Sequence, residues 1–216
     1  MKVDLESVLA LLHLARHGVL ATHSLQAPGF PYATPIPYVL DESHRPVLCI
    51  SGLAEHTKNL QADSRASFCV IAPDATDVQA SARLTMVCEA EWLDPSDHMR
   101  ARFLRYEPGA ETHLQLDFIF VRLVPKRLRF IAGVGSMGWL EASEWDSMPT
   151  LPLEAEDDLL RSMTPQVGSG IRLLGIDRFG IDFEARSRRI RQRLPGAPVS
   201  PTALPDIIGR MATELA

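Results

Sequence analysis

Polar side chains cluster where a strand-like segment gives way to a predicted helix. An apolar run ends at Ser51, and a helix predicted over 54–63 carries three further polar residues in its first turn, Thr57, Lys58 and Asn59. Hydroxyl, ammonium and amide donors near a helix N-terminus are suited to holding a phosphate. The same residues would also suit a capped helix with a solvated face, so their chemistry alone leaves both interpretations open.

A second feature of chemical interest is a strand with two prolines. Pro35 and Pro37 both fall within the predicted strand Tyr32–Leu40. Proline has no N–H group, so it leaves part of a strand's backbone unpaired and is confined to sheet edges. The sequence therefore predicts an edge strand whose carbonyl and amide groups can meet a planar ligand.

Self-contained catalytic motifs are absent from the sequence. There is no phosphate loop, no G-x-S-x-G elbow and no H-E-x-x-H pair. Gly133 to Gly138 spells G-x-G-x-x-G, but no suitable helix follows it, which favours a loop over a dinucleotide fingerprint. His13 and His17 stand four apart on the predicted first helix, a spacing that permits a shared metal or one edge of a haem. A pair of ordinary histidines near a helix C-terminus explains the same spacing.

Composition limits the classes of protein to consider. The chain has 216 residues, 46% hydrophobic and 23% charged, with a net charge of −5, values typical of a folded globular protein. The net negative charge argues against a partner nucleic acid. Neither a membrane span nor a secretory signal is apparent, which predicts a cytoplasmic protein without a membrane partner. The three cysteines, Cys49, Cys69 and Cys88, are too few and too scattered for a disulfide framework or a structural zinc site.

Short strands separated by turns dominate the first two thirds of the chain. A first helix begins after Asp4 and ends at Gly18, and another begins with Asp94 as N-cap and Pro95 at its first position. The predicted strands are 19–22, 32–40, 47–51, 66–71, 83–93, 117–123 and 126–131, the last two joined through Pro125. This pattern is typical of a small antiparallel barrel.

The composition changes near residue 150. Acids at 154–158 follow two prolines, whereas 161–216 contains nine arginines and five acids. We therefore expect a domain at 1–145, a linker at 146–160 and a small domain at 161–216. In that tail we predict a hairpin, Ile171 to Phe183, and a helix, Pro205 to Leu215. The arginine-rich run 186–193 is expected to be a solvated face, with a partner or an anionic ligand as the alternative.

A resemblance to a known family rests on residues 18–71. Its elements are Leu20-Ala21-Thr22, then Gly29, Pro31, Thr34 and Tyr38, and finally the run from Ile50 to Ser67. Further matches are Arg83-Leu84-Thr85, the strand start at Leu116-Asp117-Phe118 and the segment from Phe130 to Leu140. In these residues the chain resembles the pyridoxamine 5′-phosphate oxidase-like FMN-binding split barrels, and most of all their haem-utilisation (HugZ-type) branch.

The resemblance implies an α+β, mainly β, fold. The expected architecture is a six-stranded antiparallel split β-barrel with flanking helices and a small C-terminal α/β appendage. It also implies a homodimer with FMN at its interface. The residues that would bind this cofactor are, along the ring and ribityl chain, Thr34, Pro35 and Ile36; at the phosphate end, Ile50, Ser51, His56, Thr57, Lys58 and Asn59; and, in place of a flavin-contacting glutamine, Arg83.

Three functions follow as expectations. The first is an FMN-dependent oxidoreductase acting on a small-molecule substrate. The second is a haem-binding or haem-degrading protein on the same barrel, with His13, His17 or His98 as the axial ligand. The third is a dimeric binding module without catalytic activity. The resemblance assigns no catalytic residue.

Overall fold

The chain forms two compact units. The computed structural model describes residues 3–133 and 135–214. The first unit comprises Met1–Pro95 and Glu107–Met148, and the second comprises Ser96–Tyr106 and Pro149–Ala216. The second unit therefore includes a segment from the middle of the chain as well as the C-terminal part.

Helices and strands were assigned over the described residues. The helices are α1 (Leu5–Leu14), α2 (Glu55–Ala62), α3 (Asp97–Tyr106), α4 (Ala110–His113), α5 (Ala142–Asp146), α6 (Leu153–Met163) and α7 (Leu204–Glu214). The strands of the first unit are β1 (His17–His23), β2 (Pro31–Pro37), β3 (Val39–Leu40), β4 (Pro46–Ser51), β5 (Arg65–Ile71), β6 (Arg83–Leu93), β7 (Phe118–Gly133) and β8 (Ser136–Glu141). The second unit has β9 (Ile171–Ile176), β10 (Gly180–Ala185) and β11 (Arg188–Arg193). None of these helices is long and apolar enough to cross a membrane.

The sheet of the first unit confirms the predicted fold class. Its strands are antiparallel and run in the order β2-β1-β5-β6-β7-β4-β3, with β8 added to β7. The eight strands exceed the expected six because β3 is a two-residue pairing and β8 follows the hairpin at Gly133 and Gly135. Val134 of that hairpin lies outside the described residues.

Tyr38 joins the two ends of this sheet. The strand order starts with β2 and finishes with β3, yet only Tyr38 separates them along the chain. The sheet must therefore curl until its ends meet, as in a split barrel, although the pairings of the described strands do not close it. The buried Tyr38 hydroxyl donates to the Leu12 carbonyl over 2.6 Å, and its ring meets the edge of Phe68 at 5.1 Å. This tyrosine fixes α1 and β5 against the point of closure.

The first helix is shorter than expected. The Asp4 carboxylate accepts hydrogen bonds from the Glu6 N–H at 3.3 Å and the Ser7 hydroxyl at 2.6 Å, which confirms it as the N-cap. The helix ends at Leu14, not at Gly18, because the following residues pair with β2. The expectation that His17 shares this helix with a second histidine is therefore wrong, since His17 begins β1.

The predicted strands at 117–123 and 126–131 are one continuous strand. β7 runs for 16 residues through Pro125. Opposite it, Val87 pairs with Arg127 and Cys88 pairs with Pro125, so Lys126 is an extra residue in a β-bulge. Because the bulge releases a position from the ladder, the missing N–H of the proline does not end the strand.

Helix α3 also starts later than predicted. It begins at Asp97, and the Ser96 hydroxyl accepts the Met99 N–H at 3.2 Å in the role expected of Asp94. Pro95 consequently lies before the helix. Although α3 stands between β6 and β7 in the sequence, it belongs to the second unit.

The second unit is a three-stranded antiparallel sheet, in the order β11-β10-β9, with helices packed on it. The predicted hairpin is confirmed, and the Asp177 carboxylate accepts the N–H groups of Phe179 and Gly180 at its turn. An apolar core includes residues of α6, which lies largely within the expected linker, and of α7. The predicted last residue of the terminal helix, Leu215, lies outside the described residues.

The arginine-rich run is a strand. It forms β11, and Arg191 is nearly buried with its guanidinium bonded to Asp177 and Asp182 at 2.8 Å each. The expectation of a fully solvated face is therefore wrong at this position. Cross-strand pairing with acids of β10 explains why so basic a segment is incorporated into a sheet.

Candidate functional site

The flavin-ring residues expected from the resemblance lie on an edge strand. Thr34, Pro35 and Ile36 belong to β2, which pairs with β1 alone. This confirms the edge position predicted from the two prolines. The Pro35 side chain is exposed, whereas the Ile36 side chain is buried in the core.

The expected phosphate end lies at the turn between β4 and α2. The Ile50 side chain is fully buried, so only its backbone can face a ligand. The Ser51 hydroxyl donates to the carboxylate of Asp117 over 2.7 Å, and the Leu53 N–H approaches the same oxygen at 3.2 Å. The Ser51 hydrogen bond, with the backbone donors, holds the pKa of Asp117 below its usual value.

Two of the α2 residues serve internal contacts. The buried Thr57 hydroxyl donates to the Ser51 carbonyl at 2.6 Å. The buried Asn59 amide donates to the Thr22 hydroxyl at 3.0 Å and accepts the Leu25 N–H at 2.9 Å. These two side chains therefore fix α2 and the hairpin between β1 and β2 rather than presenting donors to a ligand.

The remaining three residues differ in their availability. The Arg83 guanidinium donates to the carbonyls of Val78, Gln79 and Ser81 at 2.8, 3.1 and 3.3 Å, and so holds the loop before β6. Burial lowers the pKa of His56, and its Nε2 atom has no hydrogen-bond partner within the described residues. Lys58 is exposed at the surface of α2.

This arrangement does not fit the phosphate of FMN. A mononucleotide phosphate needs several converging donors. Here Ser51, Thr57 and Asn59 donate to protein oxygens, and a carboxylate already lies at the turn. Of the polar side chains expected at the phosphate end, only those of Lys58 and His56 have no such internal bond. We therefore derive no chemistry through a flavin.

A different cleft opens on the first unit. It has a volume of about 380 Å³ and crosses five neighbouring strands, β2, β1, β5, β6 and β7. None of the ten residues expected to bind cofactor lines it. Its lining consists of Ala21, Thr22, His23, Pro31, Arg65, Ala66, Ser67, Val87, Cys88, Glu89 and Lys126.

Strand register explains why this cleft exists. Ala21, Ser67 and Val87 pair in one row across β1, β5 and β6, and therefore share one face of the sheet. Two of these three side chains are small, which leaves a depression between longer neighbours. The bulge at Lys126 interrupts the same region of β7 and places a cation at its border.

The two cations of the cleft are paired with acids at its surface. The Arg65 guanidinium donates to both carboxylate oxygens of Asp63, and Lys126 bonds Glu89 at 2.7 Å. The Arg65 side chain is 69% exposed and that of Lys126 is 50% exposed. A single exposed pair such as Lys126–Glu89 contributes only about 0–1 kcal/mol, whereas the two-pronged geometry of Arg65 makes its pair the stronger one. An anionic group of a ligand can therefore replace Glu89 more readily than Asp63.

His23 supplies an imidazole to the same cleft. It is exposed and has no hydrogen-bond partner within residues 3–133 and 135–214. The pKa of Asp63 is lowered mainly by its hydrogen bond from Arg65 and in smaller part by the charge of His23. The imidazole and the guanidinium thus lie near the same carboxylate.

The thiol in the cleft is not reactive. Burial raises the pKa of Cys88 to about 12, so the thiolate needed for attack or metal binding is not populated at neutral pH. Its Sγ atom lies 3.5 Å from the Ala66 carbonyl. The three cysteines are free thiols, with Cys49 and Cys88 buried and Cys69 partly buried. Cys88 contributes apolar surface to the cleft.

The histidines named as haem ligands have different surroundings. His13 is buried, and its Nε2 lies 3.2 Å from Nδ1 of the buried His44. In the second unit, His98 Nδ1 lies 2.6 Å from Asp157. His17 is exposed on β1 but does not line the cleft.

The sequence analysis missed the imidazole and the two cations of the cleft, His23, Arg65 and Lys126. One signal was available, because alternation along β1 places His23 on the exposed face with Ala21. The other two residues become neighbours of His23 only through the pairing of β1 with β5 and the bulge in β7.

Comparison with known proteins agrees with the fold. The family model for pyridoxamine 5′-phosphate oxidase matches residues 5–132, more than half of the chain. The chain is 31% identical over 133 residues to "Non-canonical heme oxygenase HOZ, chloroplastic" of Arabidopsis thaliana; the match covers 61% of this chain and 41% of that protein. The chain thus spans less than half the length of this relative.

Solved structures give the same result over the full length. A heme binding protein from Mycobacterium smegmatis superposes with a TM-score of 0.63 at 26% identity, covering 100% of this chain and 98% of that one. Protein Atu2129 from Agrobacterium tumefaciens, of unknown function, gives a TM-score of 0.76 at 20% identity, with 97% and 95% covered. The resemblance to haem-utilisation split barrels is therefore confirmed, and the chain belongs to the pyridoxamine 5′-phosphate oxidase family.

Proposed function

We propose that this protein binds haem in the cleft of the first unit, where His23 would supply the imidazole that holds the iron. The observation that carries the proposal is the convergence of an imidazole, two exposed cations and an apolar floor on one face of the sheet. The volume of the cleft lies within the range of about 300–1,000 Å³ typical of small-molecule sites.

Each part of a haem has a counterpart among these residues. A histidine imidazole is a common axial ligand of haem iron, and His23 is exposed and without a hydrogen-bond partner in the described parts of the chain. Arg65 and Lys126 can bind the two propionates once these exchange with the carboxylates of Asp63 and Glu89. Val87 and Ala21 give the porphyrin an apolar surface that excludes water.

The relatives support haem over FMN. The names of two of them mention heme, one at 31% and one at 26% identity. FMN is the other cofactor that the family implies, and an FMN-dependent oxidoreductase was the first expectation. Its phosphate would have to displace internal hydrogen bonds of Ser51, Thr57 and Asn59, two of them buried, whereas the haem propionates would exchange only exposed ion pairs at the surface of the cleft. Bound haem would supply a redox-active iron. Catalysis at that iron would be a property additional to the binding proposed here.

A second copy of the chain is the proposed cover for this face. Val19, Val87 and Trp139 are 39%, 43% and 45% exposed and occupy the same face of the sheet as the cleft. Exposed apolar patches on a folded protein mark interaction surfaces. A homodimer formed here would shield a bound porphyrin from water on its open side.

Haem titration with matched variants tests the proposal. The intact protein is titrated with haemin and followed by the Soret band. Because the iron loses its protein ligand, His23→Ala should shift the Soret maximum and weaken binding at least tenfold. His17→Ala is the matched control, since it removes an exposed histidine of the same strand outside the cleft, and it should leave the spectrum unchanged.

The cations provide an independent arm of the experiment. Lys126→Ala should weaken haem binding by about 1.5–3 kcal/mol, the value of a charged hydrogen bond, which corresponds to about 12- to 150-fold. Lys58→Ala removes the same charge from α2 and should have no effect. If haemin gives no Soret shift, or if His17→Ala or Lys58→Ala accounts for the loss, the cleft is not the haem site.

A further inference from the structure

The turn between β4 and α2 already contains an anion from the chain itself. The Ser51 hydroxyl donates to Oδ2 of Asp117 at 2.7 Å, and the Leu53 N–H donates to the same atom at 3.2 Å. The Gly52 N–H donates to the Asp117 backbone carbonyl at 3.0 Å. Three donors of this turn therefore point at one residue, which lies 66 positions from Ser51 in the sequence.

The carboxylate is ionised at neutral pH. Its pKa lies below the usual value of an aspartate, first because of the Ser51 hydrogen bond and then because of the backbone donors of the turn. Two negative groups cannot share one set of donors without repulsion. A phosphate placed at Ser51 would meet this carboxylate rather than unused N–H and O–H groups.

Hydrogen bonds rather than burial hold Asp117 at the turn, because its side chain is exposed and its backbone carbonyl accepts the Gly52 N–H. A Cβ atom built on Gly52 would lie 3.3 Å from the Asp117 carbonyl and 3.6 Å from its carboxylate. The Ser51 carbonyl is bonded at 2.6 Å to the buried Thr57 hydroxyl. The turn, the start of α2 and the residue before β7 therefore form one connected set of contacts.

We propose that Asp117 determines cofactor specificity by excluding a mononucleotide phosphate from the turn where the family resemblance would place it. The donors that a phosphate would use satisfy an internal carboxylate instead. The turn shares no residue with the proposed haem site, because neither Asp117 nor Ser51 lines the cleft. It predicts that the phosphate of FMN adds nothing to the affinity of the native chain for a flavin.

Comparison of FMN with riboflavin tests the inference, because the two differ only in the phosphate. Each is titrated into the intact protein at low ionic strength and followed by flavin fluorescence. The native protein should bind neither flavin, or both equally. Asp117→Asn keeps the shape of the side chain but removes the charge, and it should create a preference for FMN of about tenfold or more, as expected for a gained charged hydrogen bond.

Two further variants make the result specific. Glu111→Gln removes one exposed negative charge from α4 and should leave the native behaviour unchanged. Ser51→Ala combined with Asp117→Asn removes the hydroxyl donor and should abolish the gained preference. An Asp117→Asn protein without a preference for FMN would overturn the inference. If that variant does not fold, the flavin titration of the native protein takes its place. A strong preference of the native protein for FMN over riboflavin overturns the inference. Equal binding of the two flavins, or no binding of either, supports it. Haemin binding of the same samples reports separately on the proposed function.

Discussion

Removal of one partner from a buried ion pair should strongly destabilise the second unit. Glu156 of α6 and Arg102 of α3 are bonded to each other, with side chains 1% and 3% exposed. The Glu156 carboxylate also accepts the Ile176 N–H at 2.8 Å and lies 3.3 Å from the Arg105 guanidinium. One carboxylate thus connects α3, α6 and β9.

Glu156→Gln keeps the size of this side chain and removes its charge. The buried Arg102 guanidinium then loses the carboxylate to which it is bonded, and removal of one partner of a buried pair typically costs about 3–5 kcal/mol. Asp158→Asn is the control, because the Asp158–Arg161 pair is 65% and 75% exposed. That substitution should cost no more than about 1 kcal/mol.

Hydrogen exchange measured by mass spectrometry reports the loss where it occurs. Where exchange requires opening of the whole unit, a loss of about 3–5 kcal/mol speeds it about 150- to 5,000-fold. Amides in peptides from β9 and β10 should therefore exchange faster by this factor in Glu156→Gln. The double variant Arg102→Met with Glu156→Met should recover most of the loss, since both charges are then gone. Equal effects of Glu156→Gln and Asp158→Asn, or a double variant worse than either single variant, would refute this account of the pair.

Two other predictions concern single contacts. Tyr38→Phe removes the hydroxyl that donates to the Leu12 carbonyl and should lower the free energy of unfolding by about 1–3 kcal/mol. Urea denaturation followed by tryptophan fluorescence measures this change. Tyr32→Phe, at an exposed position, should change the free energy of unfolding little, and equal effects of the two substitutions would contradict the role of Tyr38. The pKa of His98 is raised above 6.5 by its hydrogen bond with Asp157, so its stabilising contribution should be complete below pH 6.5 and be lost as the pH rises through the folded-state pKa. Titration of His98 by NMR should show this raised pKa return towards the unperturbed value in Asp157→Asn, and an unchanged pKa would exclude the pair as its cause.

Several elements of the fold could be predicted from local sequence because local chemistry decides them. Asp4 caps α1, the two prolines place β2 at an edge, and Asp177 organises the β9–β10 turn, all through bonds within a few residues. Alternation along β6 likewise gives a strand with one buried face.

Predictions failed where distant pairing overrides local preference. Pro125 predicts the end of a strand, yet a β-bulge in the pairing with β6 allows β7 to continue through it. An arginine at position 191 predicts a solvent-exposed side chain, yet Arg191 is nearly buried because acids of the neighbouring strand and turn bind its guanidinium. In both cases the deciding partner lies far enough away along the chain that no local pattern contains it.

The candidate sites show the same difference between what local sequence predicts and what distant pairing decides. The resemblance carried by residues 18–71 indicated the split-barrel family, and residue types and spacing predicted the edge strand and the turn at Ser51. Only the tertiary structure decided that Asp117 fills that turn and that His23, Arg65 and Lys126 surround one cleft. The physical reason is strand register, because the pairing of β1, β5, β6 and β7 sets which distant side chains share a face, and a single bulge changes that set.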